Sequence, residues 1–401
     1  MTYTPGIATR FLLWLLAAFV PIIGIFASHG LAAAPVIILI LFLAMAVERR
    51  PFPALAASPT LLPACLLLLV TCLLGGGADL EQLYDNARLP ARTAGAMLAG
   101  FMTWMVVRDL DERTRRQVWI VTGVSMAAAL FLFSLDVLDH GLVQKILLHL
   151  NLIGEINMTR TNRGAVVLAI LVWPVMGWLW PRRKVLALGL LAWTAVITIL
   201  SESGAAVMAL VAGTAFLLAG HISFRWFCRL VLAGALAALA LMPWIVQEAY
   251  ALAHGTWLMS WRPGTIGARL EVWSFVAEKI MEKPLSGWGM DAGRLFTIPF
   301  MESFHGKSYK FVHPHNAPLQ VWLDLGVAGV LAAGIFLVAV FRKIMPLDNR
   351  QGPRVLALVG ATLTVMCVNV NLWSASWLGL LCLLPFYIGL GLDKKLPGSL
   401  A

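Results

Sequence analysis

Two histidines flank a proline at the end of the one long hydrophilic segment of this 401-residue sequence, in the order His313-Pro314-His315-Asn316. Asn316 is a favourable N-cap residue and Pro318 suits the first helical turn, so we predict that a helix begins here. His315 would then precede a helix N-terminus, whose partial positive charge disfavours the imidazolium and keeps the ring neutral. A neutral imidazole held in one place can act as a general base.

Two other interpretations of this histidine pair stay open. An interfacial histidine can cap a helix or form a hydrogen bond without doing any chemistry. His313 and His315 could also bind a metal ion, although the intervening proline constrains the pair and no acidic residue or cysteine lies near them in the sequence.

Arginines in two other segments could bind a phosphate group. Apolar residues with helical spacing over residues 269–281 predict a helix that begins near Arg269. A cation at a helix start is unfavourable because it opposes the helix dipole, and this local cost suggests a function for Arg269. Arg160 and Arg163 lie three residues apart and share a helix face if the helix starts early, which suits a pyrophosphate. Arg88 and the neighbouring Arg92 are weaker candidates of the same kind. The alternative for all of them is contact with ordinary anionic phospholipid.

Asn316, Gln320 and Asp324 recur every four residues and form one polar stripe on the predicted helix. The stripe could pack against another helix, or it could orient the site from behind. The sequence Asp109-Leu110-Asp111 is predicted to lie on the opposite side of the protein. We therefore expect neither a metal nor another cofactor, and expect arginine and lysine to stabilise negative charge in the site.

The elements that position these residues are predicted to be membrane-spanning helices. The chain is 60% hydrophobic and 12% charged, with a mean hydropathy of +0.84, which excludes an ordinary water-soluble domain. The five cysteines do not indicate a disulfide framework. We predict twelve spans, near residues 11–28, 31–47, 60–76, 93–107, 117–135, 164–180, 185–200, 204–220, 230–247, 318–341, 355–372 and 375–392.

The basic residues predict the orientation of these spans. Short alternate loops carry clusters of arginine and lysine, as at Arg49-Arg50 and Arg182-Arg183-Lys184, so these loops and both termini are predicted to be cytoplasmic. Three outer segments, about 75–92, 136–163 and 248–317, would meet above the membrane if the helices form a bundle. The basic residues behind the net charge of +10 therefore fall into two groups, those in the cytoplasmic loops that set the orientation and those in the outer segments. We expect no nucleic-acid partner.

This organisation divides the chain into three parts. Residues 1–247 would form nine spans with short loops, residues 248–317 a large outer loop with a surface helix, and residues 318–401 the last three spans. The fold class is thus an all-α integral membrane protein with about twelve transmembrane helices.

The motifs of the loop resemble the O-antigen ligase family of the bacterial inner membrane. His315-Asn316 is followed after nine residues by Gly326 and then by Gly329, a spacing typical of that family. The loop is similar to the wider superfamily of O-antigen ligases and polymerases in three further places, namely Arg269-Leu-Glu-Val-Trp273, Pro284 with Gly287-Trp-Gly289, and His313-Pro-His-Asn316. The resemblance is specific over about residues 262–330. Many superfamily members have an arginine in the turn that here reads Ser201-Glu202-Ser203-Gly204.

The resemblance implies a membrane glycosyltransferase of the GT-C type, independent of metal. It would move a glycan from undecaprenyl pyrophosphate to a sugar hydroxyl of lipid A core at the periplasmic face, with inversion. His315 would be the base, Arg269 and less securely Arg160 and Arg163 would bind pyrophosphate, and Arg88, His313 and Asn316 would contact the substrates. A protein O-oligosaccharyltransferase and an O-antigen polymerase are alternatives with the same donor, although no outer arginine has the polymerase spacing of a glycine eleven positions on. A lipid-linked glycan transporter is a third alternative.

Overall fold

The chain is mostly helical in the part that the structure, a computed structural model, describes: residues 3–26, 28–47, 80–151, 153, 155–156, 158–260, 266–301 and 306–391. The helices are α1 (Ile7–Phe26), α2 (Ala34–Val47), α3 (Leu80–Arg108), α4 (Glu112–Leu138), α5 (Leu142–His149), α6 (Met158–Leu179), α7 (Lys184–Leu200), α8 (Gly204–Ala253), α9 (Trp257–Ser260), α10 (Ile266–Glu282), α11 (Ala317–Ile344), α12 (Gly352–Val368) and α13 (Ala375–Gly391). Two short 3-10 helices cover Ser28–Ala33 and Ala292–Leu295. The chain also forms an antiparallel hairpin of β1 (Ile298–Met301) and β2 (Lys307–Tyr309), which the apolar periodicity of the sequence does not predict.

Several of these helices are long and apolar enough to cross a membrane. Among the described residues the long ones are α1, α4, α6, α8 and α11, and shorter apolar stretches lie at Leu31–Met45, Lys184–Leu200, Gly352–Val368 and Ala375–Gly391. This pattern is that of a multi-pass membrane protein, as the composition predicts. The predicted span at 60–76 lies outside the described residues, so the total of twelve spans stays a prediction.

Helix α8 contains two antiparallel halves. Ser223 interrupts it with a φ of −157° and a ψ of 89°. On either side of the break, Gly220 and Phe224 both contact the start of α12, at Pro353 and Gly352. Farther on, the carbonyl of Leu239 accepts a hydrogen bond from Trp322 near the start of α11, at the opposite end of the bundle. The chain therefore reverses at Ser223, and the halves correspond to the predicted spans 204–220 and 230–247.

The long polar segment folds and has its own apolar core. Val276 and Ile280 of α10 are buried with Phe311, which follows the hairpin, and with Leu323 of α11. The predicted helix at 269–281 is confirmed, because α10 covers it. A separate core joins α1, α4, α6 and α13.

The bundle has two chemically different ends. We call the end that holds His315, where α11 begins, the histidine end. The opposite end contains the start of α4 and the last turns of α6 and α13, and it carries Arg115, Arg182 and Arg354; we call it the arginine end.

Candidate active site

The start of α11 is organised as the sequence predicts. The side-chain oxygen of Asn316 accepts a hydrogen bond from the backbone N–H of Leu319 at 3.1 Å, so Asn316 is the N-cap, and Pro318 lies in the first turn. His315, immediately before the cap, has a φ of 55° in the left-handed region. A side chain other than glycine in this region costs about 1 kcal/mol or more, and such residues cluster at functional sites. The backbone therefore fixes His315 at some cost in free energy.

The His315 ring has a defined tautomer. Its Nδ1 lies 3.3 Å from the backbone carbonyl oxygen of Asn369, which can only accept a hydrogen bond. Nδ1 therefore carries the proton, and Nε2 is left with its lone pair. The ring of His313 lies beside it, with centroids 4.1 Å apart and planes inclined by 52°. Nε2 of His315 is thus an acceptor that can take a proton from a substrate.

Burial and nearby cations hold both rings neutral. Burial lowers the pKa of His315, the hydrogen bond to Asn369 opposes that effect, and the positive charges of Arg269 and Arg163 lower it further. Burial, together with the neighbouring His315 ring and the charges of Arg163 and Arg294, lowers the pKa of His313 to about 3. Two of the segments that the sequence predicts to be outer, the one before α6 and the one around α10, therefore meet at the histidine pair.

Helix α10 supplies a cation and an anchor from one face. Arg269 and Trp273 lie four residues apart and so share a face of the helix. The indole N–H of Trp273 donates a 2.6 Å hydrogen bond to the carbonyl of Pro314, between the two histidines. Arg269 is partly buried, and burial lowers the pKa of its guanidinium from a value so high that the group stays charged. The Arg-x-x-x-Trp spacing thus fixes the cation relative to His315.

The first turn of α6 carries the second cation. Helix α6 starts at Met158, so Arg160 and Arg163 lie on its first turns with the spacing that the sequence predicts. The buried Thr161 hydroxyl accepts a 3.1 Å hydrogen bond from Gln144, whose amide also donates to Asp136 at 2.8 Å. This buried network holds the turn in place. Arg163 is exposed.

Two of the predicted cations have side chains outside the part of the molecule that the structure describes. These are Arg88 and Arg160, whose backbones lie in α3 and α6. Arg92, one turn after Arg88, donates a hydrogen bond to the carbonyl of Trp373. The third outer segment therefore contacts the turn at 369–374, which also touches His315.

The turn at 369–374 corrects one predicted span. The sequence predicts a helix over 355–372, but α12 ends at Val368, because Asn369 and Asn371 belong to a turn. The Gln320 amide donates to the Asn371 side chain at 3.0 Å and accepts from the Leu372 N–H at 2.9 Å. The signal in the sequence is the pair of turn-forming asparagines within an otherwise apolar run.

The polar stripe on α11 therefore orients this turn. Asp324, fully buried, accepts hydrogen bonds from the Trp373 indole and from the backbone N–H groups of Asp291 and Ala292. Together with Gln320 it connects α11 to the turn whose Asn369 carbonyl holds His315. The stripe therefore packs against this turn, and its role in orienting the site stays a prediction.

The glycines of the loop motif form a second junction. Gly326 breaks α11 with a φ of 60° and a ψ of −156°, and the turn at 284–289 fills the break. Val327 donates to the carbonyl of Pro284 at 2.8 Å, and Gly289 donates to that of Asp324 at 3.0 Å. A Cβ on Gly287 would lie 2.5 Å from the Asp324 carbonyl oxygen. The glycine motif thus allows two backbones to pair directly beside the stripe.

The site combines a proton acceptor with fixed positive charge. Arg163, Arg269 and Arg294 surround the histidines closely enough to affect their pKa values, and Arg294 pairs with Asp291 at 2.5 Å. Among the described residues there is no group of three or more His, Cys, Asp or Glu side chains that could hold a metal ion. The arrangement suits deprotonation of a hydroxyl beside a phosphate group.

Comparisons with known proteins agree with the loop motifs. Residues 189–334 match the family model described as O-antigen ligase. Curated relatives carry the name "Putative polysaccharide ligase". The relative from Rickettsia bellii (strain RML369-C) is 25% identical over 261 residues, which cover 62% of this chain and 61% of the relative. The relative from Rickettsia typhi (strain Wilmington) is 24% identical over 266 residues, covering 64% and 63%. The relative from Rickettsia conorii (strain Malish 7) is 29% identical over 118 residues, covering 27% and 28%.

The matches cover only part of each protein. The chain spans less than two thirds of the length of these relatives. The matched range contains Arg269, the histidine pair and Gly326, but Arg163 and the turn at 369–374 lie outside it. Over residues 189–334 the chain is thus similar to the O-antigen ligase family.

Proposed function

We propose that the protein transfers a glycan from undecaprenyl pyrophosphate to a sugar hydroxyl of lipid A core at the periplasmic face of the bacterial inner membrane. The observation that carries this proposal is the neutral His315 within electrostatic reach of Arg269 and Arg163. The match of residues 189–334 to the O-antigen ligase family model supports glycan transfer as the reaction. We infer that both termini are cytoplasmic and that the histidine end faces the periplasm.

In the proposed reaction His315 acts on the acceptor. Its Nε2 takes the proton of the sugar hydroxyl while that oxygen attacks the anomeric carbon of the glycan from the face opposite the pyrophosphate. The bond between the anomeric carbon and the pyrophosphate oxygen breaks, and that oxygen keeps the electron pair. The new glycosidic bond therefore has inverted configuration.

The arginines act on the leaving group in this proposal. Charge develops on the pyrophosphate as its bond breaks, and Arg269 and Arg163 offer guanidinium groups that cannot lose their charge at neutral pH. Arg160, on the same helix as Arg163, is proposed to do the same. His313, Asn316 and Arg88 are proposed to contact the substrates. Both substrates are anchored in lipid, so they would enter sideways between helices from the outer leaflet.

Reconstituted transfer tests the function. The purified chain is placed in liposomes with undecaprenyl-pyrophosphate glycan and lipid A core, and the glycosylated lipid is measured with and without EDTA. We expect His315→Ala to lower the rate by about a hundredfold or more, because the general base is lost. The control is His149→Ala, which removes an exposed histidine of α5 at the same end.

The other outcomes distinguish the alternatives. A normal rate in His315→Ala would contradict the proposed base. Transfer only to a protein, or onto another glycan, would replace the acceptor and leave the chemistry in place. Movement of the donor across the bilayer without any new glycosidic bond would indicate a transporter, and loss of activity in EDTA would contradict metal independence.

A further inference from the structure

A cavity of about 360 Å³ opens at the arginine end, away from the histidines. It lies between the first turns of α4, the last turns of α6 and α13, and the start of α12. Four arginines contribute to its lining: Arg115, Arg116, Arg182 and Arg354. Glu112 is the carboxylate among the lining residues, so the cavity carries a net positive charge.

The basic side chains are held by the surrounding helices. Arg115 is buried and donates to the carbonyl of Leu390 at 3.3 Å. Arg182 donates to the carbonyl of Trp178 at 3.1 Å and lies 5.7 Å from the centroid of its ring. Arg354 lies across Gly177 of α6, where a Cβ would be 3.1 Å from its side chain. Helix packing therefore positions Arg115 and Arg354, and the exposed Arg182 is held by contacts with Trp178.

One wall of the cavity is aromatic. The rings of Trp119 and Trp178 stack with centroids 5.8 Å apart and planes inclined by 10°, and Tyr387 lies next to Trp119 at 6.4 Å. The indole N–H of Trp119 is already used, because it donates to the carbonyl of Leu390. Such a wall suits an apolar part of a ligand next to its charged part.

Two polar side-chain atoms in the lining are buried. The Tyr387 hydroxyl and the side-chain oxygen of Gln351 have no hydrogen-bond partner in the described part of the chain, although these residues are 1% and 5% exposed. Leaving a buried polar group without a partner is unfavourable, so a ligand that pairs with it is favoured. The hydroxyl can donate to a phosphate oxygen, and the Gln351 oxygen can accept from a ligand hydroxyl or ammonium group.

We propose that this cavity binds the phosphate of an anionic glycerophospholipid. The arginines and the Tyr387 hydroxyl bind the phosphodiester, Gln351 accepts a hydrogen bond from the headgroup, and the aromatic wall contacts the glycerol and the first methylene groups. Basic pockets between membrane helices are known to bind such headgroups. The site is independent of the glycan-transfer proposal, because none of its residues lies at the histidine end. Soluble phosphate offers the same anion, but it would leave the aromatic wall and Gln351 unused.

Native mass spectrometry of the full chain tests the site. The purified protein is exposed to equal amounts of phosphatidylglycerol and phosphatidylcholine, and retained lipid is counted. We expect one phosphatidylglycerol to be retained in preference. The pair Arg116→Gln and Arg354→Gln should weaken retention about tenfold or more, since each arginine near a headgroup contributes about 1 kcal/mol. Tyr387→Phe, which removes only the hydroxyl, should weaken it less.

The control pair is Arg225→Gln with Arg229→Gln. These exposed arginines follow the Ser223 reversal near the arginine end and do not line the cavity. Their substitution removes the same charge as the test pair does.

A second measurement follows the thermal unfolding of delipidated protein with and without inorganic phosphate. Phosphate that both stabilises the protein and displaces the lipid would support the anion site with a soluble source, and phosphate without effect would support the lipid source. Equal retention of both lipids with no effect of phosphate, or equal losses in the two variant pairs, would overturn the proposal.

Discussion

His315 is held in one orientation by its own backbone at the helix cap and by groups from two distant parts of the chain. Its left-handed backbone comes from the cap at α11, its Nδ1 faces the carbonyl of Asn369, and Trp273 fixes the carbonyl of the residue before it. A base that already has its tautomer and position fixed needs little reorganisation when a substrate arrives. The histidine therefore depends on residues that need not touch the substrate.

Trp273→Phe tests this dependence. Phenylalanine keeps an aromatic ring against the segment but cannot donate to the Pro314 carbonyl, so about 1 kcal/mol of positioning free energy should be lost. We expect kcat to fall about fivefold while KM for the donor changes less, because the hydrogen bond orients the base and does not bind pyrophosphate. Steady-state transfer rates at varied donor concentration measure both constants. A change confined to KM would show that Trp273 serves binding.

The sequence identifies some residues of the candidate site and not others for a physical reason. His315 and Arg269 can be found because each lies near a predicted helix start. There the helix dipole favours a neutral histidine and disfavours an arginine, so both residue types are informative. Asn369 cannot be found in that way, since it contributes only a backbone carbonyl and lies 54 residues from His315. Every residue has such a carbonyl, so only the fold shows which one is used.

At the scale of elements, the break in α11 joins the long polar segment to the bundle. Gly326 and Gly287 let the two backbones pair, and the indole N–H of Trp288 donates to the carbonyl of Lys279 at 2.8 Å, which closes the turn onto α10. The residues that carry the site, on α10 and at the start of α11, are thus held by one junction. A shift at this junction should move Arg269 relative to His315.

Gly326→Ala should damage this junction. The added Cβ would lie 2.5 Å from the Leu285 carbonyl oxygen, and the backbone conformation is nearly restricted to glycine, so the cost is about 1 to 3 kcal/mol or more. We expect a lower thermal unfolding temperature and loss of transfer. The matched control is Gly334→Ala in the same helix, where the nearest atom is 3.6 Å away and little should change. Equal unfolding temperatures for the two variants would refute the role of the junction.

Helix starts are predictable here, and the pairing of helix breaks is not. Asn316 and Pro318 give the start of α11 correctly, because capping is a local interaction. The sequence also marks Gly326 as part of a motif, but its conformation depends on the turn at 284–289, about forty residues earlier. The break at Ser223 is likewise seen only as a boundary between two apolar runs.

At the scale of the whole molecule, the two ends of the bundle carry different chemistry. Histidines and arginines from separate segments meet at one end, and the other end has an arginine-lined cavity. The short basic loops at the arginine end are the ones that the charge pattern assigns to the cytoplasm. The two ends should therefore face opposite sides of the membrane.

Labelling with a membrane-impermeant thiol reagent tests this orientation. In a variant without native cysteines, a cysteine at His149 or Lys310 should react in intact spheroplasts, and a cysteine at Arg182 or Arg350 should react only after the membrane is opened. All four positions are exposed, so access depends on the side of the membrane. Reaction of position 182 in intact spheroplasts would reverse the orientation and contradict a periplasmic site.

The central claim is that His315 is a base placed between fixed cations. It is tested most directly by the pH dependence of kcat/KM in the wild type and in Arg269→Gln. Burial and the nearby arginines hold the pKa of His315 below its ordinary value of 6.5, so wild-type activity should persist to below that pH before it falls. Arg269→Gln removes a charge that disfavours the imidazolium, so the pKa should rise.

We therefore expect Arg269→Gln to be slower, with its acid limb moved to higher pH, while Lys145→Gln, which removes an exposed cation of α5, leaves the limb in place. An acid limb at the same pH in Arg269→Gln and in the wild type would contradict the account.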